Sequence, residues 1–283
     1  MRRCLLVTLL MLLGAAPAGA APYVSGGLSP GAPSTWRMTP QNPARFPAVP
    51  GPLGADGVAL VTTPSSFGPN HQSVMSSLWV EPDLAHAGWA DGRRVESQDT
   101  WYRVRMLFPS GRYVPTRGQW NWVVEWHNDD RTASFPGAYS IALGVYTDYS
   151  GAKRAPGRNP RLALRLMGGR VRSPRVRTVE MPRDSLLYDH WYDLVFHIVW
   201  SADRRVGRVE WWCDGGLEMR TRFPTLYTLP RGLHSYNTFG VYNYRLRARW
   251  PSEVRVADTA IGPDATSVGF PGMIPALTPL SAW

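Results

Sequence analysis

Cysteine is nearly absent from this chain: its 283 residues contain two, Cys4 and Cys213. Cys4 lies in an N-terminal segment that we expect to be removed, so the mature chain can form no internal disulfide and no cysteine cluster for a metal. Cys213 follows two tryptophans and precedes an acidic turn. This setting is more typical of a half-buried small hydrophobe than of a nucleophile.

Long hydrophobic runs are also lacking beyond the N-terminus. The run from Leu5 to Leu13 is preceded by Arg2 and Arg3 and followed by small residues that end at Ala20. This pattern predicts a signal peptide over residues 1–20, cleaved after Ala20, and the run is too short to span a bilayer comfortably. We therefore expect a secreted or periplasmic protein without a membrane partner.

Lysine is scarce too, since Lys153 is the only one, although the formal net charge is +10. Arginine carries almost all the positive charge, and its planar guanidinium binds carboxylates and sulfates through paired hydrogen bonds. A basic exported protein favours an acidic partner. Charge alone would allow nucleic acid, but the chain has no compact basic run and no recognised nucleic-acid-binding motif, so we expect none.

Helical periodicity is missing, and no tandem repeat is found. Many short alternating strands with Gly/Pro turns predict an all-β domain, an antiparallel β-sandwich jelly roll. We divide the chain into the signal peptide, a Pro/Gly-rich lead-in at 21–55 that lies on the domain surface, and a jelly-roll domain at 56–283. The predicted strands are Val58–Val61, Ser73–Val80, Trp101–Phe108, Gln119–His127, Arg161–Leu166, Trp191–Trp200, Arg208–Cys213, Tyr236–Arg245 and Val254–Ile261.

Several of these strands carry a polar face under strict alternation. Between Gln119 and His127 the apolar side is predicted to hold Trp122, Val124 and Trp126. A solvated sheet face is the simpler interpretation. However, a face of arginine, histidine, asparagine and tyrosine, with tryptophans nearby, favours a concave groove for an anionic sugar chain. The polar-face residues are Arg103 and Arg105, then Asn121, Glu125 and His127, then Arg165, then Asp193 and His197, and finally Tyr236, Tyr242 and Tyr244.

Four sequence blocks carry a resemblance to a known family: Trp120–Asn128, Trp191–Trp200, Gly207–Gly215 and Gly240–Arg245. Together they resemble the jelly-roll polysaccharide lyases of the heparin lyase I and glucuronan lyase type, over roughly residues 70–262. The resemblance implies a concanavalin A-like jelly roll with a concave binding groove. It also implies β-elimination on a uronic-acid-containing polymer.

A more distant likeness links the chain to jelly-roll alginate lyases. Tyr236, Gly240, Tyr242 and His127 agree with the motifs of that group. The chain departs from them where Thr238 replaces a lysine, and where Tyr244 and Glu125 each replace a glutamine. An ionised Glu125 would repel a uronate unless an arginine paired with it. The polymer that is cut therefore stays open at this point.

The resemblance implies roles for individual residues. Tyr242 is the candidate for proton transfer, with a pKa that nearby cations must lower if it acts as base. His127 is the second catalytic candidate, as a base or as a donor to the uronate carboxylate. Asn121 would help to neutralise that carboxylate. The other expected substrate-binding residues are Arg103, Arg105, Arg165, His197, Tyr236 and Tyr244.

No cofactor or metal is required by this interpretation. The run Asn128-Asp-Asp130 could ligate calcium, but three polar loop residues are more typical of a turn. The expected partner is an anionic polysaccharide, and we expect a monomer.

Two other functions remain open from the sequence. A non-catalytic, lectin-like carbohydrate-binding protein would fit the same fold. A glycoside hydrolase fits less well, because retaining enzymes need two carboxylates about 5 Å apart and the chain lacks the clustered Glu-x-Asp-x-x-Glu strand typical of sandwich glucanases.

Overall fold

The computed structural model describes residues 24–25, 36–40, 47–62, 73–80, 99–115, 121–128, 139–147, 160–181, 186–228, 237–246 and 250–270. The predicted signal peptide and Tyr236 lie outside these residues. No helix within the described ranges is long and apolar enough to cross a membrane. The helical content of the described part is one 3-10 turn, Pro52–Gly54.

The described residues form sixteen strands. In chain order they are β1 (Val24–Ser25), β2 (Trp36–Pro40), β3 (Ala48–Pro50), β4 (Asp56–Thr62), β5 (Ser73–Val80), β6 (Asp99–Leu107), β7 (Asn121–Asn128), β8 (Tyr139–Tyr146), β9 (Arg161–Arg170), β10 (Arg175–Glu180), β11 (Trp191–Val199), β12 (Arg208–Cys213), β13 (Gly216–Arg222), β14 (Tyr227–Thr228), β15 (Asn237–Leu246) and β16 (Ser252–Gly262).

Two sheets of eight strands form the sandwich. The first sheet has the order β13-β12-β11-β6-β16-β4-β3, with β1 added to β16. The second has the order β10-β9-β8-β7-β15-β5-β2, with β14 beside β9. The pairing is antiparallel except between β14 and β9. The predicted all-β jelly roll is confirmed.

The Pro/Gly-rich lead-in takes part in both sheets. Within 21–55, β1 pairs with β16, β2 with β5 and β3 with β4. The expectation that this segment only lies on the surface is therefore incomplete. Short edge strands pair through backbone groups and tolerate proline, so they need no alternating side-chain pattern.

The main core fills the space between the two sheets. Its largest fully buried side chains include Trp126, Trp200, Trp211, Tyr102 and Phe196. The ring of Trp126 packs edge-on against Tyr102 and Phe196, with centroids 5.2 and 5.0 Å apart. Burial of such large apolar surfaces is the main favourable term in folding. This core holds the two sheets face to face.

The outer face of the first sheet is covered by residues 263–270. The guanidinium of Arg103 donates to the backbone oxygens of Val268 (3.2 Å) and Gly269 (2.5 Å). Phe270 packs against Trp101 and Trp212, with ring centroids 6.3 and 5.5 Å apart. This segment and its contacts close that face with aromatic rings and paired charges.

His197 lies in the same face, within a chain of hydrogen bonds. Its Nδ1 is 2.6 Å from Glu210 and its Nε2 is 2.5 Å from Asp99, while its ring stacks on Trp101 at 4.3 Å. Burial opposes protonation of His197, but the hydrogen bonds to Asp99 and Glu210 outweigh it and raise its pKa. The neighbouring Arg220 lies 2.7 Å from Glu210.

Replacing His197 should destabilise the fold in a pH-dependent way. Because its folded pKa is raised, its contribution is full below the unfolded value of about 6.5 and is lost as pH rises through the folded pKa. We expect His197→Gln to lower the free energy of unfolding by about 1–3 kcal/mol at pH 5–6, with a smaller loss at pH 9, measured by denaturant titration.

His190→Gln is the matched control. The side chain of His190 is 40% exposed and pairs with Asp214 at 2.9 Å, so its replacement should cost less than about 1 kcal/mol. If His197→Gln lowered the free energy of unfolding equally at pH 5 and pH 9, the raised pKa of His197 would be contradicted.

Candidate functional site

A single row of residues crosses the second sheet. The backbone register pairs Gly240 with Glu125, Glu125 with Ala142, and Ala142 with Arg165. Since neighbouring strands are about 4.8 Å apart, the Cα atoms of Glu125 and Arg165 are separated by roughly 10 Å. Gly240 and Ala142 carry almost no side chain, so little bulk flanks Glu125 on this face. We call Gly240, Glu125, Ala142 and Arg165 the central row.

The central row faces away from the first sheet. On β15 the side chains of Phe239 and Val241 enter the main core, and Asn243 donates to Leu60 and Ser252 of the first sheet. Alternation therefore turns Gly240 and Tyr242 to the opposite, outer face. Tyr242 does not lie between the two sheets.

Tyr242 and Glu125 form a buried pair on this outer face. Tyr242 is 1% exposed and Glu125 is 6% exposed, and the two groups lie close enough for each to shift the pKa of the other. Burial raises the pKa of Glu125 to about 8, although the Tyr242 hydrogen bond opposes the rise. At neutral pH Glu125 is therefore mainly an uncharged carboxylic acid.

The environment of Tyr242 differs from the one the sequence predicts. Burial, then the nearby Glu125 charge and hydrogen bond, raises the pKa of Tyr242 well above its usual value. The expectation of a phenol in a wet groove with a pKa lowered by arginine is therefore corrected. The physical reason is the cross-strand neighbour, because the alignment of β7 and β15 puts a carboxyl rather than a guanidinium beside the phenol.

Two further tyrosines and Arg165 continue the site. The Tyr227 hydroxyl donates to the backbone oxygen of Tyr139 at 3.3 Å. Burial raises the pKa of both phenols and the charge of Arg165 opposes the rise. The charge of Glu125 also reaches Tyr139. Arg165 is thus the cation that the described residues place in this neighbourhood, and its Nε is buried without a hydrogen-bond partner among them.

Sequence reasoning did not identify Tyr139 or Tyr227. Tyr139 begins β8, in which every residue is buried, so the strand shows no polar alternation to mark it. Tyr227 belongs to the two-residue strand β14, which joins the sheet only through its parallel pairing with Gly169 and Arg170. A short continuous apolar run such as β8 is consistent with a fully buried strand, and this was the available signal for Tyr139.

An irregularity in β7 changes the predicted faces of that strand. Its register against β8 shifts between Trp122 and Val124. Val123 consequently enters the main core, whereas Trp122 leaves it and packs with Tyr139 and Tyr146 at 5.0 and 5.8 Å between ring centroids. The prediction that Trp122 shares the core face with Val124 is wrong, because one extra residue in a bulge reverses alternation beyond it.

Asn121 and Tyr244 are affected by the same region. The Asn121 amide is buried and donates to the backbone oxygen of Val145 at 3.0 Å, so the structure does not place it beside Glu125 as a group for the substrate. Tyr244 is partly buried and packs against the Trp122 cluster. Its ring therefore lies on the outer face at the edge of the site.

Three predicted substrate-binding residues lie on the other side of the sandwich. Arg103 and Arg105 are on β6 and His197 is on β11, all on the outer face of the first sheet. Arg103 binds Asp193 through two hydrogen bonds of 2.8 and 2.6 Å, and Arg105 binds Asp258 at 2.6 Å. Because packed sheets are about 10 Å apart, these groups cannot share a groove with Tyr242, and their predicted grouping is corrected.

The position of His127 is known from its backbone. His127 pairs with Thr238 of β15 and lies two positions beyond Glu125 on β7. Asp129 and Asp130 of the possible calcium run are outside the described residues. Among the side chains that the structure describes, no group of three His, Cys, Asp or Glu could hold a metal ion.

The arrangement brings an uncharged carboxyl, a phenol and a guanidinium to one sheet face. A guanidinium such as that of Arg165 can hold a carboxylate or sulfate through paired hydrogen bonds. A protonated Glu125 can donate a hydrogen bond to the same kind of group without repelling it. Such a face is suited to an anionic substrate and to proton transfer.

The fold is shared with a solved glucuronan lyase, and an alginate lyase is a more distant match. The endo-β-1,4-glucuronan lyase from the fungus Trichoderma reesei matches with a TM-score of 0.63 and 14% identity, covering 87% of this chain and 96% of that chain. The alginate lyase vAL-1 from Chlorella virus matches with a TM-score of 0.47 and 10% identity, covering 81% and 93%. A search of curated proteins found no significant match.

Membership of a family comes from the sequence profile. The profile described as polysaccharide lyase matches residues 73–257, which is well over half of the chain. The matched range includes β7, β9 and β15, the strands that carry Glu125, Arg165 and Tyr242. The chain belongs to the polysaccharide lyase family, and the protein is a polysaccharide lyase with a jelly-roll fold.

Proposed function

We propose that this lyase is secreted and cleaves a uronic-acid-containing anionic polysaccharide by β-elimination at the outer face of the second sheet. The observation that carries the proposal is the Tyr242–Glu125 pair next to the central row that ends in Arg165. The fold shared with a glucuronan lyase, whose name specifies a uronic acid polymer, supports the substrate class.

The reaction moves one proton off the sugar and another onto the leaving group. A base takes the proton on C5, the C4–O4 bond breaks, a C4=C5 double bond forms, and O4 receives a proton. Tyr242 fits the acid that protonates O4, because its raised pKa keeps the phenol protonated. We assign the removal of the C5 proton to His127, because the ordinary pKa of a histidine lies near neutrality.

The uronate carboxylate must lose much of its charge before C5 becomes acidic enough. We assign this role to the neutral Glu125 carboxyl, which donates a hydrogen bond, and to Arg165, which supplies positive charge. The low exposure of Tyr242 requires that groups covering its hydroxyl move when the substrate binds. Water exclusion of this kind strengthens the hydrogen bonds of the site.

Removing the Tyr242 hydroxyl should abolish cleavage. We expect Tyr242→Phe to lower kcat on the polymer that the wild type cuts by about 10²–10⁴-fold, the usual contribution of general acid–base catalysis. The measurement is the ultraviolet absorbance of the unsaturated uronyl product on glucuronan, alginate, heparin and heparan sulfate.

Tyr188→Phe serves as the matched control for the phenol, because Tyr188 is 39% exposed and lies in a turn outside the site. It should retain wild-type activity. Tyr242→Phe with more than a third of the wild-type rate, and an unchanged unfolding curve, would exclude Tyr242 as the acid. Reducing ends without the ultraviolet product would contradict elimination.

The protonation state of Glu125 should appear in the pH profile. Because its pKa is raised to about 8, the carboxyl is neutral below that pH and repels a uronate above it. Wild-type kcat/KM should therefore fall as pH rises through about 8. Glu125→Gln should lack this fall, and above pH 8 it should be at least as stable as the wild type, since it removes a buried charge.

Glu125→Ala tests whether the hydrogen bond itself matters. Below pH 8 this variant should lose about 10²-fold or more in kcat relative to the wild type, as expected when a donor to a developing oxyanion is removed. The groups that face Glu125 are Tyr242, Tyr139 and, one strand further, Arg165. If kcat/KM of Glu125→Gln still falls as pH rises through about 8, another of these groups causes the fall, and the assignment of the fall to Glu125 fails.

A further inference from the structure

A second polar cleft lies where the β9–β10 turn meets the loop between β11 and β12. It has a volume of about 620 Å³. The central row and Tyr242 are not among its lining residues. We call it the arginine cleft; it is lined by Gly169, Arg170, Ser173, Arg175, Ala202, Asp203, Arg204, Pro224 and Thr228.

The walls of the arginine cleft are fixed by the backbone. The Gly169 amide donates to the Leu226 oxygen at 2.8 Å, and Gly169 has a φ of +87°. A Cβ on Gly168 would lie 2.0 Å from the Pro224 oxygen, so the β9 end and the 224–226 segment are in close contact. The cleft is therefore formed before a ligand arrives, which lowers the entropic cost of binding.

The opposite wall is equally constrained. The Thr225 hydroxyl donates to the Val199 oxygen and accepts from the Ser201 amide, each at 2.8 Å. The Ser201 hydroxyl accepts from the Asp203 amide at 2.9 Å. Arg204 is thus presented from a loop whose backbone is tied to the neighbouring 223–226 segment.

The cleft carries excess positive charge. Arg170, Arg175 and Arg204 are exposed, and none of them forms an ion pair with another residue of the described part of the chain. Asp203 is the one acid among the described lining residues, and its Oδ1 already accepts from the Arg205 amide at 2.9 Å. Three guanidinium groups around one cleft are suited to a carboxylate or a sulfate, which they bind through paired hydrogen bonds.

We propose that the arginine cleft is a second binding site for anionic polysaccharide, which holds a carboxylate or sulfate of a chain segment outside the cleavage site. The inference rests on the proposed function, from which it takes the substrate class. The hydroxyls of Ser173 and Thr228 add neutral hydrogen-bonding groups suited to sugar hydroxyls. None of the lining residues that the structure describes carries an aromatic ring on which a nucleic-acid base could stack, which favours a saccharide over a single-stranded nucleic acid.

The test compares two double variants that remove the same charge from the same two loops. Arg170→Gln/Arg204→Gln alters the cleft. Arg172→Gln/Arg205→Gln removes exposed arginines one or two positions away that do not line it. Both are made in the full chain, with and without Tyr242→Phe, and titrated calorimetrically with size-defined oligosaccharides of polyglucuronate and of heparin.

The cleft variant should lose the second binding event with short oligosaccharides. Its affinity for long chains should fall about 10- to 100-fold, the range expected for a charge-assisted hydrogen bond, while the control keeps both. Its kcat on short substrates should match the wild type, and its KM on long substrates should rise. Loss confined to heparin identifies sulfate as the bound group, and loss with both oligosaccharides identifies carboxylate, which both polymers carry.

Three outcomes overturn the inference: equal affinities for the cleft and control variants, a single binding event in the wild type, or an equal loss for an oligothymidylate of matched charge. Failure of the proposed function has a different signature. In that case no unsaturated product forms, or Tyr242→Phe still produces it, while the difference in binding between the two double variants is unaffected.

Discussion

The pairing of β7 with β15 is the constraint on which the rest of the site depends. From Asn237 to Val241 the two central strands align without a shift, so that Glu125 lies opposite Gly240 and within reach of Tyr242. A slip of one residue would place Glu125 and Phe239 on the same face of the sheet, so that either the carboxyl would enter the core or the phenyl ring would leave it. The cost of burying the Glu125 carboxyl between the sheets or of exposing Phe239 fixes this register, and the register fixes the chemistry.

Burial then decides what the paired groups can do. A carboxyl and a phenol removed from water both favour their neutral forms. Burial therefore raises the pKa of each; Glu125 raises the pKa of Tyr242 further, whereas Tyr242 lowers the pKa of Glu125. The replacement of glutamine by Glu125, which argues against a uronate substrate if the side chain is charged, is compatible with one when it is neutral. The positive charge of the site comes from Arg165, two strands away.

The charged residues on the outer face of the first sheet stabilise the fold. Arg103 and Arg105 form ion pairs with Asp193 and Asp258, and His197 is hydrogen-bonded between Asp99 and Glu210. These groups anchor the segment that covers the first sheet. The arginines that the structure describes therefore include ion-paired residues of the first sheet, Arg165 at the site, and the exposed arginines of the cleft.

The sequence by itself determined the fold class and most strand positions, because alternation and local blocks are properties of single strands, and it predicted His127 on β7 and Tyr242 on β15 as the catalytic pair. It did not show β8, whose uniform burial carries no alternation, or the bulge at Val123, which reversed the faces of Trp122 and Asn121. Nor could it sort the polar faces, since period-two alternation says which residues share a face but not which sheet or side of the sandwich that face belongs to. Only the tertiary pairing of strands decided that Arg165 lies with Tyr242 and that Arg103 does not.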